Sequence, residues 1–297
     1  MGTPKTKETI VWSPKMPGIE PEHLPWLNMI GYLSPKDSLD LLDQCRRFQD
    51  SADWVLSNTF HELQTDTITM APNVLTIGPL LENNRFGNLW PEDASCMSWL
   101  DQQPLNSVIY ISFGSIASLG HNQFEELALA LELLGKPFLW VVRPANSVHP
   151  ASGAAEGFLD RVTSFGKIVS WAPQSKVLSH ASVACFVSQC GWNSTIEAVS
   201  NGVPLLCWPV LFEQFFQLPY IEDVWRVGLG LSPYKDRTIP RDEIKRRLNQ
   251  LLEDREIKQN SLIWKEMAML SVAQGGSSTK NLDFFVEQLK KNATSDP

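Results

Sequence analysis

The sequence has no run of basic residues, no long apolar segment and no paired cysteines, and each absence excludes a class of protein. Its 25 Lys and Arg are outnumbered by 33 Asp and Glu, for a formal net charge of -8. No excess of cations is available to displace phosphate counterions, which argues against nucleic acid as a partner. The densest basic cluster, RDEIKRR at 241–247, is mixed in sign and helical in pattern, so it reads as a solvated helix face. The longest apolar stretch, 203–212, is too short to span a bilayer and carries Pro204 and Pro209. The opening MGTPKTKETIVW has no apolar secretory core. Five scattered cysteines (Cys45, Cys96, Cys185, Cys190 and Cys207), without a C-x-x-C pair, fit reduced thiols better than a disulfide framework or a zinc site. A cytoplasmic protein with no membrane span is expected.

Familiar chemical motifs are missing as well. There is no G-x-x-x-x-G-K-[ST], no G-x-G-x-x-G after a strand, no H-E-x-x-H and no G-x-S-x-G, which weakens P-loop, dinucleotide, zincin and hydrolase readings. Internal repeats and low-complexity tracts are absent too.

What is present is an ordinary globular composition: 297 residues, 43% hydrophobic and 20% charged, enough for a sizeable core. This length holds either about two domains or one α/β domain with extensions. Residues 1–80 are rich in proline and broken into short pieces, with a helical stretch at 37–51 and a strand-like run at 54–58. Their apolar pattern is too thin for an independent domain. Gly78-Pro79 followed by polar Glu82 to Arg85 reads as a linker, placing a boundary near residue 80.

Beyond it, strands and helices alternate. SVIYISF at 107–113 is a β-rich run, Gly114-Ser115 a turn, and Phe124, Leu127, Ala128 and Leu131 share a helical face. Buried-strand candidates follow at 138–142, 167–171, 183–188 and 205–208. Repeated β-α units predict an α/β fold with a Rossmann-like doubly wound parallel sheet, ligands binding at the carboxyl ends of its strands. From Pro240 the chain is helical, with a stripe of Ile244, Leu248, Leu251 and Leu252. Gly275-Gly276 ends the next helix, and Ser277 or Ser278 caps a last one with apolar positions Leu282, Phe285, Val286 and Leu289. The units expected are therefore 1–80, 81–275 and 276–297.

The most polar strand ends are Trp171-Ala172-Pro173-Gln174 and the run from Ser188 to Glu197, SQCGWNSTIE. In the second, a strand ends and a glycine turn leads into a helix starting near Asn193. Gly191, Asn193 and Ser194 would then present N–H groups and small polar side chains at a helix N-terminus, a site suited to phosphate. An Asn/Ser cap on a purely structural helix is the plain alternative. Trp140 and Trp208, inside strand-like runs, read as core, and His180 as structural.

The whole segment 171–214, WAPQSKVLSHASVACFVSQCGWNSTIEAVSNGVPLLCWPVLFEQ, resembles the donor-binding signature of plant-type UDP-sugar-dependent glycosyltransferases. The resemblance extends through SVIYISFGS and the C-terminal helices. It implies the C-terminal half of a GT-B fold, two Rossmann-like domains facing a cleft, with an N-terminal remnant. Carried over by position, Trp171 would stack on uracil, and Ala172 and Gln174 would contact uracil and ribose. Glu197 would accept from the ribose hydroxyls, a carboxylate matching a vicinal diol. Asn193, Ser194 and Ser115 would hold the diphosphate. Glu213 and Gln214 would bind sugar hydroxyls, with Trp192 lining the same pocket. The co-substrate is then UDP-glucose or a related UDP-sugar, the acceptor a hydroxyl of a small lipophilic molecule, and no metal or other cofactor is needed.

Two departures stand out. Where the family normally has His before Cys-Gly-Trp-Asn, this sequence has Gln189, an amide that donates to phosphate without carrying charge; donor affinity is expected to fall roughly tenfold. The family's catalytic His and its Asp belong to the early N-terminal domain, and the chain resembles only the tail of that domain. No catalytic residue is therefore assigned, and His23 and His61 do not match the base. The chain alone is expected to be inactive in transfer; the alternative is a catalytically silent UDP-sugar-binding or partner-interaction module.

Overall fold

The computed structural model describes residues 9–11, 13, 16–24, 34–81, 95–115, 119–143, 157–211, 213–231 and 238–295. In chain order the elements are α1 (Pro35–Ser51), β1 (Val55–Ser57), α2 (Thr65–Met70), β2 (Val74–Thr76), α3 (Ser95–Leu100), β3 (Val108–Ser112), α4 (His121–Leu134), β4 (Phe138–Val141), α5 (Phe158–Val162) and β5 (Gly166–Val169). They continue as α6 (Gln174–Leu178), β6 (Val183–Ser188), α7 (Trp192–Asn201), β7 (Leu205–Cys207), α8 (Gln214–Pro219), β8 (Gly228–Gly230), α9 (Arg241–Glu253), α10 (Arg255–Val272) and α11 (Ser277–Ser295).

Six strands form one parallel sheet in the order β5-β4-β3-β6-β7-β8. The chain winds outward from β3 in one direction and from β6 in the other, so the order reverses between these two strands. That reversal opens a crevice at their carboxyl ends, the place where doubly wound sheets bind ligands. Both faces are covered, which is why the strands read as continuous apolar runs. Val108 and Tyr110 of β3 face one core with Val199 of α7 and Ala268 of α10; Ile109 and Ile111 face the other with Leu127 of α4 and Leu248 of α9.

The expected strands are observed with small shifts. β5 ends at Val169, so Trp171 lies in the loop beyond it. Two strands were not anticipated, β2 and β8, each three residues long. β8 is Gly-Leu-Gly, the opposite of a β-rich run; a Cβ at Gly228 would run into the Leu205 carbonyl, so glycine is what lets β8 approach β7. Trp140 and Trp208 are core residues, at 1% and 5% exposure. His180 is structural, held by Ser182 Oγ at 2.8 Å and Asp101 Oδ1 at 3.2 Å.

Residues 55–81 pair β1 with β2 and dock onto the larger unit. Phe60 and Leu63 join its core, Trp225 Nε1 donates to Leu63 O at 3.0 Å, and Gly78 and Pro79 are buried. The polar half of the expected linker, Glu82 to Arg85, lies outside the described residues. At the C-terminus two expectations are corrected. Ser277 and Ser278 are the first residues of α11 rather than its caps, because their hydroxyls have tertiary acceptors, Glu62 at 3.1 Å and the Gly78 carbonyl at 2.5 Å. The apolar positions of α11 do not form a buried stripe: Leu282, Val286 and Leu289 are exposed, and Phe285 packs edge-on against Trp54. This helix leans on β2 through polar bonds, Asn281 Nδ2 to Thr76 O at 2.9 Å among them, and a two-stranded sheet is too small to cover its apolar side.

Candidate functional site

The crevice is built from four strand ends. Ser115 follows β3, the Trp171–Gln174 loop follows β5, Gln189 to Ser194 follow β6, and Glu213 and Gln214 lie beyond β7. Residues spread over 99 positions of sequence, from Ser115 to Gln214, therefore gather at one edge because parallel strands aim their carboxyl ends the same way.

The turn from β6 into α7 is sharp. Cys190 has a left-handed φ of 62°, unusual without glycine, and is held by its N–H to Ser188 Oγ at 3.0 Å. Gly191 is the N-cap and, lacking a side chain, makes no cap hydrogen bond of its own. The plain reading, a cap by Asn193 or Ser194, is thus not what forms; both sit inside the first turn. Their backbone N–H groups belong to the set every helix leaves unbonded, which together with the helix dipole attracts an anion. Trp192 N–H is directed at Glu213 Oε1 at 3.4 Å.

Gln189 lies behind this turn, 8% exposed. Ser188 Oγ donates to its Oε1 at 3.3 Å, which turns Nε2 toward the two glycines of the crevice. A Cβ on Gly191 would stand 3.3 Å from that nitrogen, and one on Gly114, whose φ is +68°, would run into it. Gln189 thus presents an N–H donor between the β3 turn and the α7 N-terminus. Ser115 is exposed on the same turn, and its carbonyl accepts from the Arg143 guanidinium. Partial burial lowers the Arg143 pKa below the ordinary guanidinium range.

A second cluster sits one turn further along α7. Gln174 Nε2 donates to Glu197 Oε2 at 2.6 Å and to Ser194 Oγ at 3.0 Å, and Tyr110 OH reaches Gln174 Oε1 at 3.5 Å. Ala172 is buried beside it; Trp171 is half-buried and has no aromatic partner among the described residues, leaving its ring free to stack on a base. At the far side, Gln214 is buried with Oε1 accepting from Val210 N at 2.9 Å and Leu211 N at 3.0 Å, so only its Nε2 can serve a ligand. Trp192 is less open than expected: its indole N–H donates to the Asn58 carbonyl at 2.9 Å and its ring packs near Trp225.

The structure therefore brings the expected residues into one crevice, in two groups: a phosphate-like end at Ser115, Gln189 and Asn193, and a nucleoside-like end at Trp171, Gln174 and Glu197. Sequence reasoning missed Arg143 and Asn58. Asn58 follows β1 directly and Arg143 stands two residues past β4, and a place just beyond a strand's carboxyl end is the signal that could have found them. Among the described residues no group of three or more His, Cys, Asp or Glu is placed to hold a metal ion, and no helix is long and apolar enough to cross a membrane.

A doubly wound sheet with a helix N-terminus and a carboxylate at its switch point is the arrangement in which α/β proteins hold phosphate-bearing ligands. Comparison with known proteins carries the assignment further: residues 56–273 match the model of the UDP-glucoronosyl and UDP-glucosyl transferase family, and the chain belongs to that family. It is 40% identical to UDP-glycosyltransferase 83A1 of Arabidopsis thaliana over 97% of this chain and 62% of that relative. Among solved structures it is similar to Phytolacca americana UGT2 complexed with UDP-2fluoro-glucose and pterostilbene, at TM-score 0.82 and 31% identity, covering 96% of this chain and 64% of that one. Os79 from O. sativa in complex with UDP matches at TM-score 0.82 and 32% identity, over 91% and 63% of the two chains. The chain thus spans somewhat under two thirds of the proteins it resembles.

Proposed function

We propose that this chain holds the donor of a UDP-hexosyl transfer, with glucose as the sugar, in the crevice between β3 and β6. The observation that carries the reading is the convergence of Gln174, Ser194 and Glu197 one helical turn from the start of α7. Trp171 would stack on uracil with the Ala172 backbone and Gln174 at its edge, and Glu197 would take the ribose hydroxyls. Ser115, Gln189, Gly191, Asn193 and Ser194 would face the diphosphate, and Glu213, Gln214 and Trp192 the hexose. Helix N–H groups and neutral donors supply the diphosphate's partners without a metal.

The whole protein's activity is proposed as transfer of that hexose to a hydroxyl of a small lipophilic acceptor, in the cytoplasm. The support is the family assignment and the similar structure of Phytolacca americana UGT2, which is complexed with UDP-2fluoro-glucose and pterostilbene. Calorimetric titration of the chain with UDP-glucose and with GDP-glucose tests the donor reading: UDP-glucose is expected to bind the tighter by tenfold or more. Equal affinities, or none for either, would refute it. Product analysis with UDP-glucose and phenolic acceptors, with and without a homologous N-terminal domain, tests the transfer.

A further inference from the structure

We infer that Asn58 is a positioning residue of the donor site, which turns the carboxamide of Asn193 so that its NH2 group, not its oxygen, faces the diphosphate. This rests on the donor reading above.

The polarity starts from a group that can only donate. Leu80 N–H donates to Asn58 Oδ1 at 2.7 Å, so the oxygen of the Asn58 carboxamide is fixed at that end. Its Nδ2 is therefore at the other end, where it donates to Asn193 Oδ1 at 3.4 Å. The Asn193 oxygen is thereby committed, and its NH2 group, which makes no hydrogen bond to the described residues, is left for a ligand. Asn58 has little freedom to turn. A Cβ on Gly78 would stand 2.5 Å from Asn58 Oδ1 and 2.7 Å from Thr59 N, so the side chain occupies space that only a glycine leaves. Its carbonyl is also the acceptor for the Trp192 indole at 2.9 Å, one residue before Asn193.

The two orientations of an asparagine side chain have nearly the same shape, and only hydrogen bonding separates them. One presents two donors to a phosphate; the other presents an oxygen that repels it. A residue on the 55–81 segment thus decides the electrostatics of a helix N-terminus more than 130 positions away.

The test is calorimetry on the full chain with UDP and with uridine, which lacks the phosphates. Asn58→Asp keeps an acceptor for Leu80 N–H but replaces Nδ2 by oxygen, so Asn193 must turn its NH2 group inward. UDP affinity is expected to fall about tenfold or more, the loss of a charge-assisted hydrogen bond, with uridine affinity unchanged. On an Asn193→Ala background the same substitution should cost little further, because its route is gone. A parallel loss for uridine, or an undiminished effect on that background, would overturn the inference, the latter by showing that the new charge acts directly. Should Asn58→Asp not fold by circular dichroism, Asn58→Ala decides on the same readout, with a several-fold loss for UDP alone expected. A parent chain that binds neither compound refutes the donor reading and this inference together. A parent that binds both while the Asn58 variants leave the ratio unchanged refutes only the role of Asn58.

Discussion

Gln174 Nε2 donates to Glu197 Oε2 at 2.6 Å, joining the start of α6 to the second turn of α7. The carboxylate is thus held in place by a neutral amide on one oxygen. On the proposed donor reading, this is the carboxylate that the ribose diol would meet.

Glu197→Ala should weaken UDP binding by about 1.5–3 kcal/mol, the range for a hydrogen bond to a charged group. Uridine should lose the same amount, since it keeps the ribose. Calorimetry with both compounds checks this; unchanged affinity for either would remove Glu197 from the ribose.

Gln189→His should tighten UDP-glucose binding by about 1 kcal/mol at pH 6, the difference between a neutral and a charged partner. Contact with a diphosphate raises the imidazole pKa from its usual value near 6.5, so the gain is present below that value and lost as pH rises through the bound-state pKa. Titrations at pH 6 and pH 8 check it. A gain of equal size at both would show that residue 189 does not face the phosphates.

Gly114→Ala should destabilise the protein by about 1–2 kcal/mol, because its φ of +68° favours glycine and the added Cβ runs into the Gln189 amide. UDP affinity should fall with it as Gln189 is displaced. Thermal melts beside UDP titrations check both; a stable variant with intact UDP binding would mean that the turn is not the floor of the site.

Glu126 joins α4 to α9, accepting from Arg241 N–H at 2.6 Å and pairing with the Arg241 guanidinium at 2.5 Å. The guanidinium hydrogen bond holds its pKa below the usual 4.5. A lowered carboxylate pKa stabilises above the unfolded value and loses that contribution as pH falls through the folded one. With the Arg241 side chain 39% exposed, the pair contributes no more than about 1 kcal/mol. Glu126→Gln should therefore melt lower than the parent at pH 7, with the gap closing as pH falls below the usual 4.5 and through the lowered folded-state pKa. A gap independent of pH would assign the stabilisation to packing instead.

The continuous apolar runs at 107–113, 138–142, 183–188 and 205–208, separated by helical segments, were enough by themselves to point to a parallel sheet with covered faces, since strands buried on both sides read as unbroken apolar segments. The order of residues from Trp171 to Gln214 likewise pointed to the family. Side-chain direction was beyond their reach. That Gln189 turns its nitrogen toward Gly114, that Trp192 spends its indole N–H on Asn58, and that Leu282, Val286 and Leu289 of α11 face outward are settled by contacts between segments far apart in sequence. β8 escaped notice for the same reason: Gly-Leu-Gly becomes a strand only because β7 offers a ladder that glycine alone can approach. Local pattern sets which surfaces must be buried, whereas the partner that buries them, and the way an amide turns to meet it, exists only once the chain has closed on itself.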